Sequence, residues 1–97
     1  MPQYVMIGWD GPNGPRRREK HRERHLAYVG DLNRAGKIRF AGPIRDDSEN
    51  RSIGVVLVFE AESLEDAQAV ADADPYVIGG VFESLTVNPF KQVFPED

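Results

Sequence analysis

The 97-residue chain contains no cysteine, and none of its apolar runs approaches the length of a membrane-spanning helix. Without cysteine it can form neither disulfides nor thiolate sites, which fits a location in the cytoplasm. A helix that crosses a bilayer needs about 20 consecutive apolar residues. The N-terminus "MPQYVMIGWD" also lacks the charged start and the small-residue cleavage site of a signal peptide. We therefore expect a single domain over residues 1–97, in the cytoplasm and without a membrane partner.

Positive charge is in short supply, with 12 Lys and Arg against 16 Asp and Glu and a net charge of −4. Proteins that bind nucleic acids through phosphates usually carry a basic excess, so we expect no nucleic-acid partner. The segment "RRREKHRERH" at residues 16–25 is nevertheless locally basic and contains both histidines. A solvated, charge-rich helix face is the common explanation of such a run, whereas inward-facing members would indicate a site.

Metal and phosphate motifs are missing as well. His21 and His25 have the i, i+4 spacing of a zinc-binding helix, but "HRERH" has arginine where that motif has glutamate. No second group of His or Cys residues exists to complete a zinc site. The loop "DGPNGP" matches neither the dinucleotide-binding spacing nor the P-loop spacing. We therefore expect no metal site, and no motif predicts a nucleotide cofactor.

Apolar and helical segments alternate along the chain in the order β-α-β-β-α-β. Strands are predicted at residues 4–10, 37–44, 53–61 and 81–87, and helices from Pro15 or Arg16 to Ala35 and over 63–73. Gly36 is expected to end the first helix and Ser63 to cap the second, with Asp66 three residues later. This order predicts an α+β ferredoxin-like fold, in which one antiparallel sheet carries both helices on one face.

The third predicted strand, "IGVVLVF", does not alternate between apolar and polar residues. A strand with one solvated face normally alternates, so both faces of this strand are expected to be buried. Two helices can cover only one face of the sheet. A second copy of the sheet is the simplest cover for the other face, which predicts a homodimer. The alternative is a strand that is apolar on both sides without such a partner.

Part of the basic run falls on the apolar stripe of the first predicted helix. At about 100° per residue, the stripe is defined by three residues, Leu26, Val29 and Leu32. Arg18, Arg22 and His25 lie on the same stripe, and His21 lies on its margin. The other basic residues of the run mostly point elsewhere. An inward arginine requires a partner. His25 is either a structural, hydrogen-bonded histidine or a catalytic or ligand-binding one, and both readings remain open.

The predicted topology brings the start of this helix together with the end of the first strand and the end of the second helix. Trp9, at the end of the first strand, is therefore a candidate for contact with a substrate. Asp74 precedes a proline and is a candidate to accept a hydrogen bond from His25, which would fix its tautomer and raise its basicity. The alternative role of Asp74 is that of a simple helix-end residue.

Several motifs together resemble the YciI-like protein family over Tyr4 to Phe94. They are Arg22 and His25 ahead of Leu26, "AGP" at 41–43, "DPY" at 74–76 and "PFKQVF" at 89–94. The resemblance implies a dimeric α/β barrel with one pocket per subunit and a His-Asp dyad, here His25 and Asp74. Gly42 and Pro43 would shape the pocket, with Arg22 beside it. The family resemblance also implies acid/base chemistry on small, often aromatic, molecules without a cofactor.

The leading hypothesis is a small cofactor-independent enzyme, lyase- or isomerase-like, in which His25 acts as general acid or base and Asp74 orients it. Arg22, together with Arg18, would hold an anionic group of the substrate. One alternative is a non-catalytic module that binds a small molecule in the same pocket. Another is a cofactor-free monooxygenase of the dimeric α/β barrel class.

Overall fold

The computed structural model of the chain describes residues 1–48 and 50–96. In chain order the elements are β1 (Gln3–Asp10), α1 (Gly14–Arg34), β2 (Ile38–Arg45), β3 (Ser52–Glu60), α2 (Leu64–Asp72), α3 (Pro75–Ile78) and β4 (Phe82–Phe90). The strands form one antiparallel sheet in the order β2-β3-β1-β4. The predicted ferredoxin-like α+β fold is thereby confirmed.

The ends of the two long helices are set by the residues that the sequence pattern singles out. After α1, Gly36 adopts φ +77°, a left-handed conformation that favours glycine. The backbone N–H of the next residue, Lys37, donates to the carbonyl of Leu32 and closes the helix end. At α2, the Ser63 hydroxyl accepts a hydrogen bond from the N–H of Asp66 at 3.0 Å. The predicted cap and the predicted stop are therefore both present.

Two elements differ from the sequence prediction. "DPY" ends α2 but also starts a short helix, α3, because Pro75 suits the first helical position and the Asp74 side chain caps it. Strand β4 continues to Phe90 through Pro89, so part of the segment predicted as a tail belongs to the sheet. Proline removes a ladder hydrogen bond, and β4 tolerates it because this strand lies at the edge of the sheet.

The main hydrophobic core lies between one face of the sheet and the helices. Its strand residues alternate along β1 and β3 and are almost completely buried: Tyr4, Met6, Val55, Leu57 and Phe59. Helix α2 contributes Ala67 and Ala71, whose small side chains let the helix approach the sheet closely. Although α1 has 21 residues, neither it nor any other described helix has the apolar stretch that a membrane span needs.

The opposite face of the sheet is also apolar, and the described helices do not pack on it. Val56 and Val58 alternate with the core residues of β3 and therefore point to this face. Trp9 and Phe40 share the face, and they are 45% and 52% exposed. We call this the uncovered face and define it by Trp9, Phe40 and Val56; Val58 lies on the same side but is only 1% exposed.

The two glycines on either side of the end of α1 should respond in opposite directions to the same substitution. Gly30 lies inside α1, where a Cβ would meet only the movable end of Arg34. We expect Gly30→Ala to raise the free energy of unfolding by about 0.5–1 kcal/mol, since alanine loses less backbone entropy in a helix. Gly36 has a positive φ, and Gly36→Ala should therefore lower the free energy of unfolding by roughly 1–2 kcal/mol.

Urea unfolding of the two variants beside the unsubstituted chain measures both changes. Open space surrounds a Cβ at Gly36, so a loss there reports on backbone conformation and not on a clash. Equal stability of the Gly36→Ala variant and the unsubstituted chain would contradict the left-handed helix end.

Candidate functional site

A cavity of about 480 Å³ lies between α1 and the strands β2 and β3, and it is partly open to solvent. Its apolar walls come from all three elements and consist of Leu26, Val29, Ala41, Pro43, Val55 and Leu57. Its polar groups include His25, Tyr76 and three arginines, Arg18, Arg22 and Arg45. No acidic side chain is among the described residues that line it. The cavity therefore combines apolar walls with a positive charge.

His25 and Asp74 form a buried pair at the wall of the cavity. His25 is 7% exposed and Asp74 is 0% exposed. The Nδ1 atom of His25 lies 2.8 Å from Oδ1 of Asp74. The same oxygen accepts a hydrogen bond from the N–H of Tyr76, so Asp74 acts as acceptor and His25 Nδ1 carries the hydrogen. The predicted contact is present, and it leaves Nε2 as the ring nitrogen available to a ligand.

The second oxygen of Asp74 is buried too, and the described residues donate no hydrogen bond to it. Burial raises the pKa of the neighbouring Tyr28, and the negative charge of Asp74 raises that pKa further. The Tyr28 hydroxyl itself donates to the carbonyl of Val70 at 2.7 Å. A buried carboxylate with so few partners depends strongly on each of them. The position of the His25 ring is therefore tied to Asp74.

Tyr76 covers the His25 ring from one side. The two rings are parallel within 5°, and their centroids lie 3.8 Å apart. Burial raises the pKa of Tyr76, while the positive charges of Arg18 and Arg22 oppose that change. The Tyr76 hydroxyl is therefore protonated at neutral pH and can act as a hydrogen-bond donor.

Arg18 reaches the cavity but is held by the protein. Its Nε and Nη2 atoms donate to both carboxylate oxygens of Asp10, at 2.7 and 2.9 Å, and Nη2 also donates to the carbonyl of Gly54 at 2.9 Å. The guanidinium carbon lies 5.2 Å from the centroid of the Tyr76 ring. Because Asp10 offsets its charge, Arg18 ties β1, α1 and β3 together at the rim of the cavity.

Arg22 lines the same cavity with a different environment. It makes no hydrogen bond or ion pair with another residue in the described part of the chain, and its side chain is exposed. The sequence predicted that Arg22 and Leu26 face the core. Both side chains are exposed instead, and Leu26 is 54% exposed. Both residues lie on the predicted stripe, but the stripe faces an open cavity there and not packed side chains.

The remaining predicted residues fall on two sides of the sheet. Pro43 lies on the helix side and lines the cavity, and the backbone of Gly42 contributes to the same wall. Trp9 does not line the cavity. It pairs with Gly54 of β3, and the next residue of β3, Val55, points to the cavity. Because side chains alternate along a strand, the Trp9–Gly54 pair faces the other side of the sheet. Trp9 therefore lies on the uncovered face in this structure, contrary to its expected place beside the substrate.

The second histidine of the basic run is separate from the pair. The His21 ring lies against Gly79, where an added Cβ would clash with it, and His21 also contacts Arg24. Partial loss of hydration and the positive charges of Arg24 and Lys20 lower the pKa of His21. Within residues 1–48 and 50–96, no three His, Asp or Glu side chains are grouped so that they could hold a metal ion.

Sequence reasoning did not single out Tyr76 or Arg45 as residues of the site. Tyr76 follows Pro75 directly, and the Asp-Pro pair that caps a helix and occupies its first position was the signal that could have placed it. The pairing of Asp10 with Arg18 was missed as well. The predicted convergence of the end of β1 with the start of α1 indicated that these two charges would meet.

The sequence model of the YCII-related domain matches residues 2–91 of the chain. Protein YciI of Escherichia coli is 41% identical over 96 residues, which cover 94% of this chain and 98% of that protein. An uncharacterized protein of Haemophilus influenzae is 38% identical over the same extents. Both relatives are thus similar along their whole length.

Solved structures give a consistent result. One similar structure is the 5-chloro-2-hydroxyhydroquinone dehydrochlorinase TftG of Burkholderia phenoliruptrix, in complex with 2,5-dihydroxybenzoquinone. The two chains superpose with a TM-score of 0.84 at 25% identity, and the match covers 98% of this chain and 99% of that chain. SnoaB, a cofactor-independent oxygenase of Streptomyces nogalater, has a TM-score of 0.61 and 12% identity, with 99% and 100% covered, and shares the fold. The resemblance seen in the motifs is confirmed, and the chain belongs to the family of YCII-related domains.

Proposed function

We propose that the chain is a cofactor-independent acid/base enzyme that acts on a small organic anion, with His25 as the group that moves the proton. The observation that carries this proposal is the buried pair of His25 and Asp74 at the wall of an open cavity. Asp74 accepts from Nδ1 and so keeps the lone pair on Nε2, the atom that can take a proton from a bound molecule. The carboxylate also stabilises the imidazolium that forms.

The charge of the cavity supports an anionic substrate. Asp10 neutralises Arg18, but no described residue pairs with Arg22. A carboxylate, phenolate or enolate oxygen would give the Arg22 guanidinium a partner that the described residues do not supply. A negative charge developing on an oxygen after proton removal would be stabilised in the same way.

The walls of the cavity support a flat, apolar body for this anion. Val55, Leu57 and Pro43 present apolar surface, and Tyr76 adds an aromatic ring. The similar dehydrochlorinase TftG was solved with 2,5-dihydroxybenzoquinone, a small ring of this kind. A hydroxylated benzene or quinone is therefore the substrate class that we propose, with elimination or isomerisation as the reaction class.

We further propose that two copies of the chain assemble through the uncovered face of the sheet. Trp9 and Phe40 leave large apolar surfaces in water there, and Val56 lies between them. A second sheet packed face to face would cover these side chains at about 10 Å. Location in the cytoplasm stays a prediction.

Loss of the histidine should remove turnover. We expect His25→Ala to lower kcat by about 10²–10⁴-fold for any member of a panel of hydroxylated and chlorinated benzenes that the unsubstituted protein converts. Asp74→Asn should lower it too, since an amide cannot replace the carboxylate charge. Product formation is followed by ultraviolet absorbance and chromatography, and circular dichroism checks the fold.

Turnover by His25→Ala at the rate of the unsubstituted chain would contradict the mechanism. A panel compound that binds but is recovered unchanged after long incubation would favour a non-catalytic binding module. Oxygen consumption during turnover would instead favour a monooxygenase.

Removal of the Arg22 guanidinium should affect substrate binding more than the chemical step. We expect Arg22→Gln to raise KM for an anionic panel compound by roughly tenfold, the effect of one lost charge-assisted hydrogen bond. Arg16→Gln removes the same charge from an exposed position of α1 and serves as the matched control. Equal KM values for the two variants would show that Arg22 does not hold the anion.

Assembly can be followed through Trp9, the one tryptophan of the chain. If the uncovered faces pack together, the emission of Trp9 should shift to longer wavelength on dilution as its ring enters water. Val56→Arg should give that emission, and a monomer in sedimentation experiments, at all concentrations. Ile78→Arg is the control, because Ile78 is 73% exposed on α3. A monomeric unsubstituted chain at high concentration would contradict the dimer.

A further inference from the structure

Tyr76 contacts both members of the buried pair, through two different parts of the residue. Its backbone N–H donates to Oδ1 of Asp74 at 2.9 Å, the atom that also accepts from His25. Its ring lies parallel to the imidazole at a centroid distance of 3.8 Å. Tyr76 is therefore placed to govern their relative orientation.

We propose that Tyr76 is the positioning residue of the pair: its N–H holds the carboxylate while its ring fixes the plane of the His25 imidazole. This role rests on the function proposed above, because a fixed imidazole plane matters when Nε2 must meet a bound molecule in one direction. A hydrogen bond to Nδ1 alone leaves the ring free to tilt about that bond. A parallel ring 3.8 Å away removes this freedom.

Tyr76 can serve in this way only if it is itself held, and three neighbours hold it. Asp74 caps α3, which sets the backbone of Tyr76. Phe82 meets the Tyr76 ring edge-on, at 6.2 Å between centroids and 86° between planes. The Arg18 guanidinium lies 5.2 Å from the ring centroid and is fixed by Asp10. Tyr76 is 3% exposed, so solvent does not compete for its position.

The positioning role requires the aromatic ring and not the hydroxyl group. Phenylalanine at this position keeps both the ring and the backbone N–H. Leucine keeps the N–H and a similar apolar volume but has no flat face. Tyr76→Phe and Tyr76→Leu therefore form a matched pair that separates ring stacking from simple filling of space.

The test uses nuclear magnetic resonance of the histidine side chains, which gives two sets of signals because the chain has two histidines. Protons that face an aromatic ring resonate upfield, and the nitrogen shifts report which ring nitrogen carries the hydrogen. For the unsubstituted chain we expect upfield carbon-bound ring protons on His25, and hydrogen on Nδ1. His21, which is not stacked on Tyr76, is the internal reference.

Tyr76→Phe should keep both signatures and an ordered His25 ring. Tyr76→Leu should keep the hydrogen on Nδ1, since Asp74 still accepts it, but the order parameter of the His25 Cε1–H bond from carbon relaxation should fall as the ring becomes free to tilt. A His25 order parameter in a folded Tyr76→Leu variant equal to that of the unsubstituted chain would overturn the proposal. If Tyr76→Leu does not fold, the unsubstituted chain and Tyr76→Phe decide, since His25 protons without an upfield shift would exclude the stack in solution.

The result is independent of the activity test. Turnover that survives His25→Ala would remove the proposed enzyme function but would leave the effect of Tyr76 on the His25 ring as measured. Conversely, an unaltered His25 order parameter in Tyr76→Leu, combined with loss of turnover in His25→Ala, would remove the positioning role and leave the enzyme function standing.

Discussion

Asp74 has no exposed surface, and its carboxylate is held by two hydrogen bonds from described residues, one from His25 Nδ1 and one from the N–H of Tyr76. Removing one partner of a buried charged pair typically costs about 3–5 kcal/mol, which is a large share of the stability of a domain this small. The pair therefore ties α1 to α3 across 49 residues of sequence. The position of the cavity between α1 and the sheet depends on this tie.

The charges around the cavity divide into a structural set and an available set. Arg18 and Asp10 are both largely shielded from water, and their bidentate contact joins three elements, so this pair serves the fold. Arg22 lies one helical turn further along α1, in a more solvated place, without a partner among the described residues. An acidic protein can thus present a positive cavity, since the Debye length of about 8 Å lets local charges outweigh the distant net charge.

Much of the fold was predictable from the sequence, because strand alternation, the Ser63 cap and the Gly36 stop are local signals that tertiary packing reinforced. The contact of His25 with Asp74 was also predictable, since the β-α-β-β-α-β order brings their elements together. The place of Trp9 was predicted wrongly, although the alternation that buries Tyr4 and Met6 in the core already puts Trp9 on the opposite face. The exposure of Arg22 was not predictable, since helical phase gives the direction of a side chain but not what lies there.

Ordinary strand alternation explains how one sheet can present two different faces. Trp9 and Asp10 are neighbours in sequence, yet Trp9 points to the uncovered face and Asp10 to the Arg18 side chain at the rim of the cavity. The same division occurs on β3, where Val56 and Val55 point to opposite sides. Because side chains alternate along a strand, one set of residues lines the cavity and a different set forms the apolar surface of the uncovered face. The residues that line the cavity and those of the uncovered face can therefore vary independently in this fold, although they share the backbone of β3.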